Sequence, residues 1–230
     1  LLSVARAAVT ITAVATVAVT MRIGQRLYGQ RGAATAGLVL CFMPLHVRFS
    51  HLANTDIAAT FWLSLAILFA LRITEREQVK DYIIGGICVG LAGSTKYPAA
   101  LVGLAVLVAA WRDPLRIQRV LLAGFTALVT FACTNPYTWL DHSAFLAEFS
   151  RMGEMHLIGD SPSSPISSWW YFLRYNLRYG LGLSGVIALA IALCCRPGNW
   201  RREELVVATS AISFAILLAF ADSGFMRYAL

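Results

Sequence analysis

Long apolar stretches dominate the chain, and charged residues or Pro and Gly interrupt them. The uninterrupted runs fall at about 1–21, 33–45, 56–71, 82–95, 97–111, 119–134, 170–194 and 205–221. They predict eight helices. Crossing about 30 Å of hydrocarbon takes roughly 20 residues. Several runs fall short of that length, notably 33–45 and the pair flanking Lys96-Tyr97-Pro98. A helix end at membrane depth is tolerated only where protein or water satisfies its backbone groups, so the short runs mark the expected wet side of the molecule.

Composition turns these runs into a class of protein. Of the 230 residues 58% are hydrophobic and 13% charged, and the mean hydropathy is +0.67, whereas a soluble domain is about a quarter charged. A soluble globular domain, a disordered chain, a collagen and a disulfide scaffold are all excluded. The expected fold is all-α, a polytopic transmembrane helical bundle with room for about seven to nine crossings. The opening LLSVARAAVT has neither an initiator Met nor a basic n-region, and DSGFMRYAL ends without a tail. The expectation is a single transmembrane domain over 1–230, truncated at both ends.

Charge then orients the bundle. If each run crosses once, one side collects Arg22, Arg26, Arg31, Arg72, Arg76, Lys80, Arg112, Arg116, Arg119, Arg196, Arg201 and Arg202. The other side has Arg48, Lys96, Arg151, Arg174, Arg178 and Arg227, with Arg6 inside the first run. The positive-inside rule assigns the richer side to the cytoplasm. Outer loops are then expected at about 46–56, 95–98, 135–169 and 222–228. Six carboxylates (Asp56, Asp141, Glu148, Glu154, Asp160 and Asp222) and all four His (His46, His51, His142 and His156) fall on that outer side. A polar face collects titratable groups in any case, so this asymmetry points to chemistry without locating it. Cys41, Cys88, Cys133, Cys194 and Cys195 offer no outer disulfide pair, and no Gly-rich nucleotide-binding motif is present.

Three outer segments carry candidate chemistry. The first, PLHVRFSHLANTD, ends at Asp56, which opens a helix. Thr55 or Asp56 could serve only as a helix cap. A carboxylate at a membrane boundary is nevertheless costly unless paired or wet, so Arg48, His46 and His51 are candidate partners in an ion-pair or proton-transfer cluster. The second, GSTKYP, has Lys96 and Tyr97 between two short helices. Lys96 either snorkels or binds an anion such as a phosphate beside a helix N-terminus. The third runs from Asn135 to about Trp169 and begins NPYTWLDH, with Asn135, Tyr137 and Asp141. Phe145, Phe149, Met152 and Met155 follow at helical spacing, which fits an amphipathic helix in the interface plane or an ordinary packing stripe. Tyr171, Arg174, Tyr175, Arg178 and Tyr179 form a basic and aromatic face suited to a headgroup or an interfacial girdle.

PLHVRFSHLANTDIAATFWLSLAILFALR, YIIGGICVGLAGSTKYPAALVGLAVLVAAW, NPYTWLD and FMRYAL resemble, in order and spacing, the family 39 type of membrane glycosyltransferases. That group includes the protein O-mannosyltransferases and the bacterial aminoarabinose transferase, with the GT-C architecture. SHxxNTD and TKYPAA are the most specific parts. The resemblance implies inverting transfer of a sugar from a dolichyl or undecaprenyl phosphate to a protein, lipid or glycan acceptor on the non-cytoplasmic side. It implies a multi-pass protein of the bacterial plasma membrane or endoplasmic reticulum, with the carrier lipid as donor substrate and no cofactor; no metal-ligating residues and no nucleic-acid partner are expected, and a divalent-metal requirement stays open. Asp56 matches an auxiliary acidic position. The principal catalytic Asp of the family lies on the first outer loop, and no acidic residue precedes Asp56 here, so that base is expected upstream of the chain and the fragment alone is expected to be inactive. Lys96, Tyr97, Arg48, His51, Asn135, Tyr137, Asp141 and Arg227 are the expected substrate and lipid-phosphate contacts. A secondary transporter, with interrupted helices and intramembrane charges, and a non-catalytic membrane scaffold remain the alternatives.

Overall fold

The computed structural model describes residues 2–158, Gly182 and 198–220, and every regular element among them is helical. The bundle is a helical membrane protein. In order the elements are α1 (Leu2–Phe42), α2 (Pro44–Ser50), α3 (Asp56–Arg76), α4 (Val79–Thr95), a 3-10 helix (Tyr97–Val102), α5 (Gly103–Ala109), α6 (Arg116–Thr134), α7 (Tyr137–Leu140), α8 (His142–Ile158) and α9 (Arg202–Phe220). Seven of the eight apolar runs fall on these helices; the eighth, 170–194, lies outside the described residues apart from Gly182. Among the described residues, α1, α3 and α6 are long and apolar enough to cross a membrane.

The first helix holds two runs because it doubles back on itself. Gly29 has φ +68° and ψ −159°, a backbone conformation that costs little only without a Cβ. The arms then meet so closely that a Cβ on Gly24 would overlap the Gly32 carbonyl, and one on Gly37 would sit 2.6 Å from the Met21 side chain. The second arm and α2 return along the first arm, and the Thr10 hydroxyl donates to the Ser50 carbonyl at 3.1 Å.

The centre of the bundle is α4, packed between α3 and α6. Lipid tails are as apolar as Leu, so helices in a membrane gain from close backbone approach and not from burying apolar area. Gly86 and Gly90, four residues apart, provide that approach. A Cβ on Gly86 would overlap the Ala123 carbonyl and the Thr126 hydroxyl, and one on Gly90 would sit 2.5 Å from the Ala127 carbonyl. The core is correspondingly rich in small residues, with Ala66, Ala70, Ala92, Ala105 and Ala109 fully buried around Leu71, Ile73, Val102 and Val206.

The first arm of α1, α3 and α5 all end at one pole of the bundle, and their last carbonyls need donors. Arginines provide them. Arg201 donates to the Leu27 carbonyl at 2.7 Å, Arg202 to those of Thr74 and Ala109, and Arg119 to that of Glu77, which caps α3 in the left-handed region at φ +49°. Cations also complement the negative ends of these helix dipoles. Ion pairs close the same pole: Arg26 with Glu75, Arg72 with Asp81 at 2.8 Å and Arg119 with Asp113 at 2.7 Å. The Tyr82 hydroxyl donates to Asp113 at 2.7 Å. Burial pushes the Asp113 carboxyl up, but the hydrogen bonds from Tyr82, the Leu115 amide and Arg119, with the Arg119 charge, outweigh it, so Asp113 titrates below its ordinary value.

Candidate functional site

At the opposite pole, bends over 52–55 lead into the first residue of α3, Asp56. Thr55 makes no side-chain cap there, so the carboxylate in the first turn is what complements the helix dipole. Forty residues on, α4 ends at Lys96, whose extended backbone (φ −150°, ψ 120°) turns the chain out of the helix before the 3-10 segment, which begins at Tyr97 with Pro98 in its first turn. Because α3 and α4 are antiparallel neighbours, the start of one lies beside the end of the other. The Lys96 ammonium donates to Asp56 Oδ1, and Asn54 Nδ2 donates to Asp56 Oδ2 at 2.9 Å. Each carboxylate oxygen thus has one donor.

The pair is accessible. The Lys96 side chain is 47% exposed and that of Asp56 31%, so its worth to stability is small, about 0–1 kcal/mol. Its surroundings are aromatic. The Tyr97 ring lies 6.2 Å from Phe131 of α6 and 6.3 and 5.5 Å from Phe145 and Phe149 of α8, edge-on to the last two. Edge-to-face contacts at this spacing are favourable, and they fasten the amphipathic α8 to the residue that follows Lys96. Below Tyr97, an apolar groove of about 350 Å³ descends between the 3-10 helix with α5 and α6, lined by Ala100, Leu101, Leu104, Leu107, Val120, Ala123 and Ala127 among others.

The other expected contacts are arranged less tightly. His46 is buried against α1 and does not reach Asp56, while Arg48 and His51 are exposed and have no side-chain partner among the described residues. The cluster of Asp56 with His46, Arg48 and His51 that their closeness in sequence suggested is therefore not formed; Lys96 and Asn54 take those places. Asn135 Nδ2 donates to the Phe131 carbonyl at 3.1 Å, closing the end of α6, where the hydroxyls of Thr134 and Ser94 meet at 2.5 Å. Tyr137 is 74% exposed. Asp141 Oδ1 accepts from the Ala144 amide and the Ser143 hydroxyl, both at 3.1 Å, and so caps the start of α8. Arg227 lies outside the described residues. No group of three or more His, Cys, Asp or Glu among the described residues could hold a metal ion.

Sequence reasoning assigns no role to Asn54, Ser94 and Thr134, although all three stand in or beside the segments it singles out. The Gly86 and Gly90 spacing is a legible sign of the α4–α6 contact that hydropathy alone passes over. A family model described as dolichyl-phosphate-mannose-protein mannosyltransferase matches residues 2–139, which include Asp56, Lys96, Asn135 and Tyr137 and stop short of Asp141. No curated protein and no solved structure matches the chain.

Proposed function

Because the chain belongs to the dolichyl-phosphate-mannose-protein mannosyltransferase family, a family of membrane glycosyltransferases, we propose that it serves transfer of a sugar from a polyprenyl phosphate to a hydroxyl of a protein acceptor on the non-cytoplasmic side. The observation that carries this reading is the accessible Asp56–Lys96 pair. It joins an acid and a cation at the pole away from the arginines, which the positive-inside rule assigns to the cytoplasm.

The chemistry required is a displacement at the anomeric carbon. The acceptor oxygen forms the new bond to C1, the bond from C1 to the phosphate oxygen breaks, and the acceptor proton leaves to a carboxylate. Attack opposite the leaving group inverts the anomeric centre. Lys96 is the cation that meets the phosphate and stabilises the charge developing on it, and such electrostatic stabilisation is usually the main source of rate enhancement. Asp56 is the auxiliary acid: it holds Lys96 at the mouth of the site and accepts a hydrogen bond from a substrate hydroxyl. Tyr97, Arg48, His51, Asn135, Tyr137, Asp141 and Arg227 are the further contacts of the phosphate and the sugar. The groove below Tyr97 has the apolar lining that an isoprenoid tail needs, and it begins one residue from the ammonium that would hold the headgroup. The amphipathic α8, with Phe149 and Leu146 half exposed, lies in the interface plane beside it.

The test is transfer by the full-length protein in proteoliposomes, with dolichyl-phosphate-[3H]mannose and a Ser/Thr-containing peptide. Lys96→Met and Asp56→Asn are expected to lower kcat/KM at least tenfold while membrane insertion is kept. Wild-type turnover in both variants would remove the pair from the mechanism.

A further inference from the structure

Asn54 belongs to the SHxxNTD segment, where an amide stands two residues before Asp56. Its Nδ2 donates to Asp56 Oδ2 at 2.9 Å. The opposite amide orientation would turn Oδ1 toward that carboxylate oxygen, acceptor against acceptor, so the orientation is fixed by chemistry. Asn54 Oδ1 is in turn sealed from solvent and has no hydrogen-bond partner among the described residues. A buried, unpaired acceptor costs stability. Asn54 therefore keeps its bond to Asp56 at the expense of the fold.

We propose that Asn54 is a positioning residue, whose amide occupies one oxygen of Asp56 so that Lys96 is held through the other oxygen alone and remains free to receive an anionic phosphate. This rests on the reading of Asp56 and Lys96 given above. The carboxylate has two oxygens and the ammonium three donors. With Oδ2 taken, Lys96 is engaged at Oδ1 and its remaining donors point elsewhere. Without the amide, the carboxylate is free to turn about its last torsion and to grip the ammonium with both oxygens, in competition with the phosphate. The loss then falls on capture of the lipid donor and not on folding.

Asn also favours turns in its own right, and its backbone N–H donates to the Leu52 carbonyl at 2.9 Å within the bend. Asn54→Asp separates the two roles, because Asp is equally at home in turns and nearly identical in shape but puts an acceptor where the donor was. The experiment measures donor dependence of transfer and thermal unfolding of full-length wild type, Asn54→Ala, Asn54→Asp and Asp56→Asn, with dolichyl-phosphate-[3H]mannose as the probe. The expected result is a KM for the donor raised about fivefold in Asn54→Ala and at least tenfold in Asn54→Asp, with kcat within twofold and the melting temperature of Asn54→Ala unchanged or higher. Wild-type kinetics in Asn54→Asp, or a fall in melting temperature that accounts for the lost activity of Asn54→Ala, would overturn the inference. If Asp56→Asn is impaired and the Asn54 variants are not, this inference alone fails. If Asp56→Asn turns over normally, the role of Asp56 falls and takes this inference with it.

Discussion

At the arginine-rich pole Asp81 and Asp113 are 0% and 2% exposed; Arg72 stands beside the first, and Arg119, Tyr82 and the Leu115 amide donate to the second. At the other pole the Asp56 and Lys96 side chains keep about a third to a half of their surface open. Both poles join α3 to α4 by an ion pair, Arg72–Asp81 at one end and Lys96–Asp56 at the other. The same two helices thus carry one pair whose carboxylate is fully buried beneath a 26% exposed Arg72, and one whose two members are both open to solvent. A pair of the first kind is costly to break, since the partner left behind is an uncompensated buried charge. A pair of the second kind contributes little to the fold and can exchange partners with a ligand. The contrast fits the first pole to holding the bundle together and leaves the second open to the ligand proposed above.

The sharpest way to break this comparison is Arg72→Met, which strands the Asp81 carboxylate. Unfolding in mixed micelles is expected to show a loss of about 3–5 kcal/mol; a loss as small as that of an exposed pair would erase the distinction between the poles. Next in size is Tyr82→Phe, which removes a hydrogen bond to a charged group and is expected to cost about 1.5–3 kcal/mol in the same assay. It also has a pH signature. The folded-state pKa of Asp113 lies below its ordinary value of 3.8, so the stability this group contributes is present above that value and is lost as the pH falls through the folded pKa. Tyr82→Phe weakens the depression, so acid-induced unfolding is expected to begin at a higher pH than in wild type. Asp141→Ala removes the cap of α8 and is expected to cost about 1 kcal/mol of helix stability, visible as faster amide exchange over Ser143–Leu146. The smallest effect on stability is expected from Lys96→Met, under about 1 kcal/mol, the variant in which transfer suffers most.

The helices were legible because hydropathy decides them: the α3 run begins at Asp56, where the structure begins the helix, and the break at Lys96-Tyr97-Pro98 is where α4 ends. That a boundary carboxylate and a lone lysine between short helices both demand partners was legible too. Which partner each takes was not. Sequence proximity favoured Arg48 and the two nearby His for Asp56, but the choice is made by the antiparallel packing of α3 on α4, which brings together residues forty positions apart. Small residues serve both faces of α4: Gly85 lies against Phe69 of α3, and Gly86 and Gly90 admit α6 on the other side. The hydrogen bond between Asn54 and Asp56 was out of reach for a related reason. It depends on a side-chain orientation within an irregular bend, where no periodicity constrains it.

Equilibrium binding of dolichyl-phosphate-[3H]mannose to the full-length protein, compared between Lys96→Met and Arg72→Met below the melting temperature of each, tests the division between the poles most directly. The account predicts at least tenfold weaker binding in Lys96→Met and nearly wild-type binding in Arg72→Met. Undiminished binding in Lys96→Met, or an equal loss in both, would contradict it.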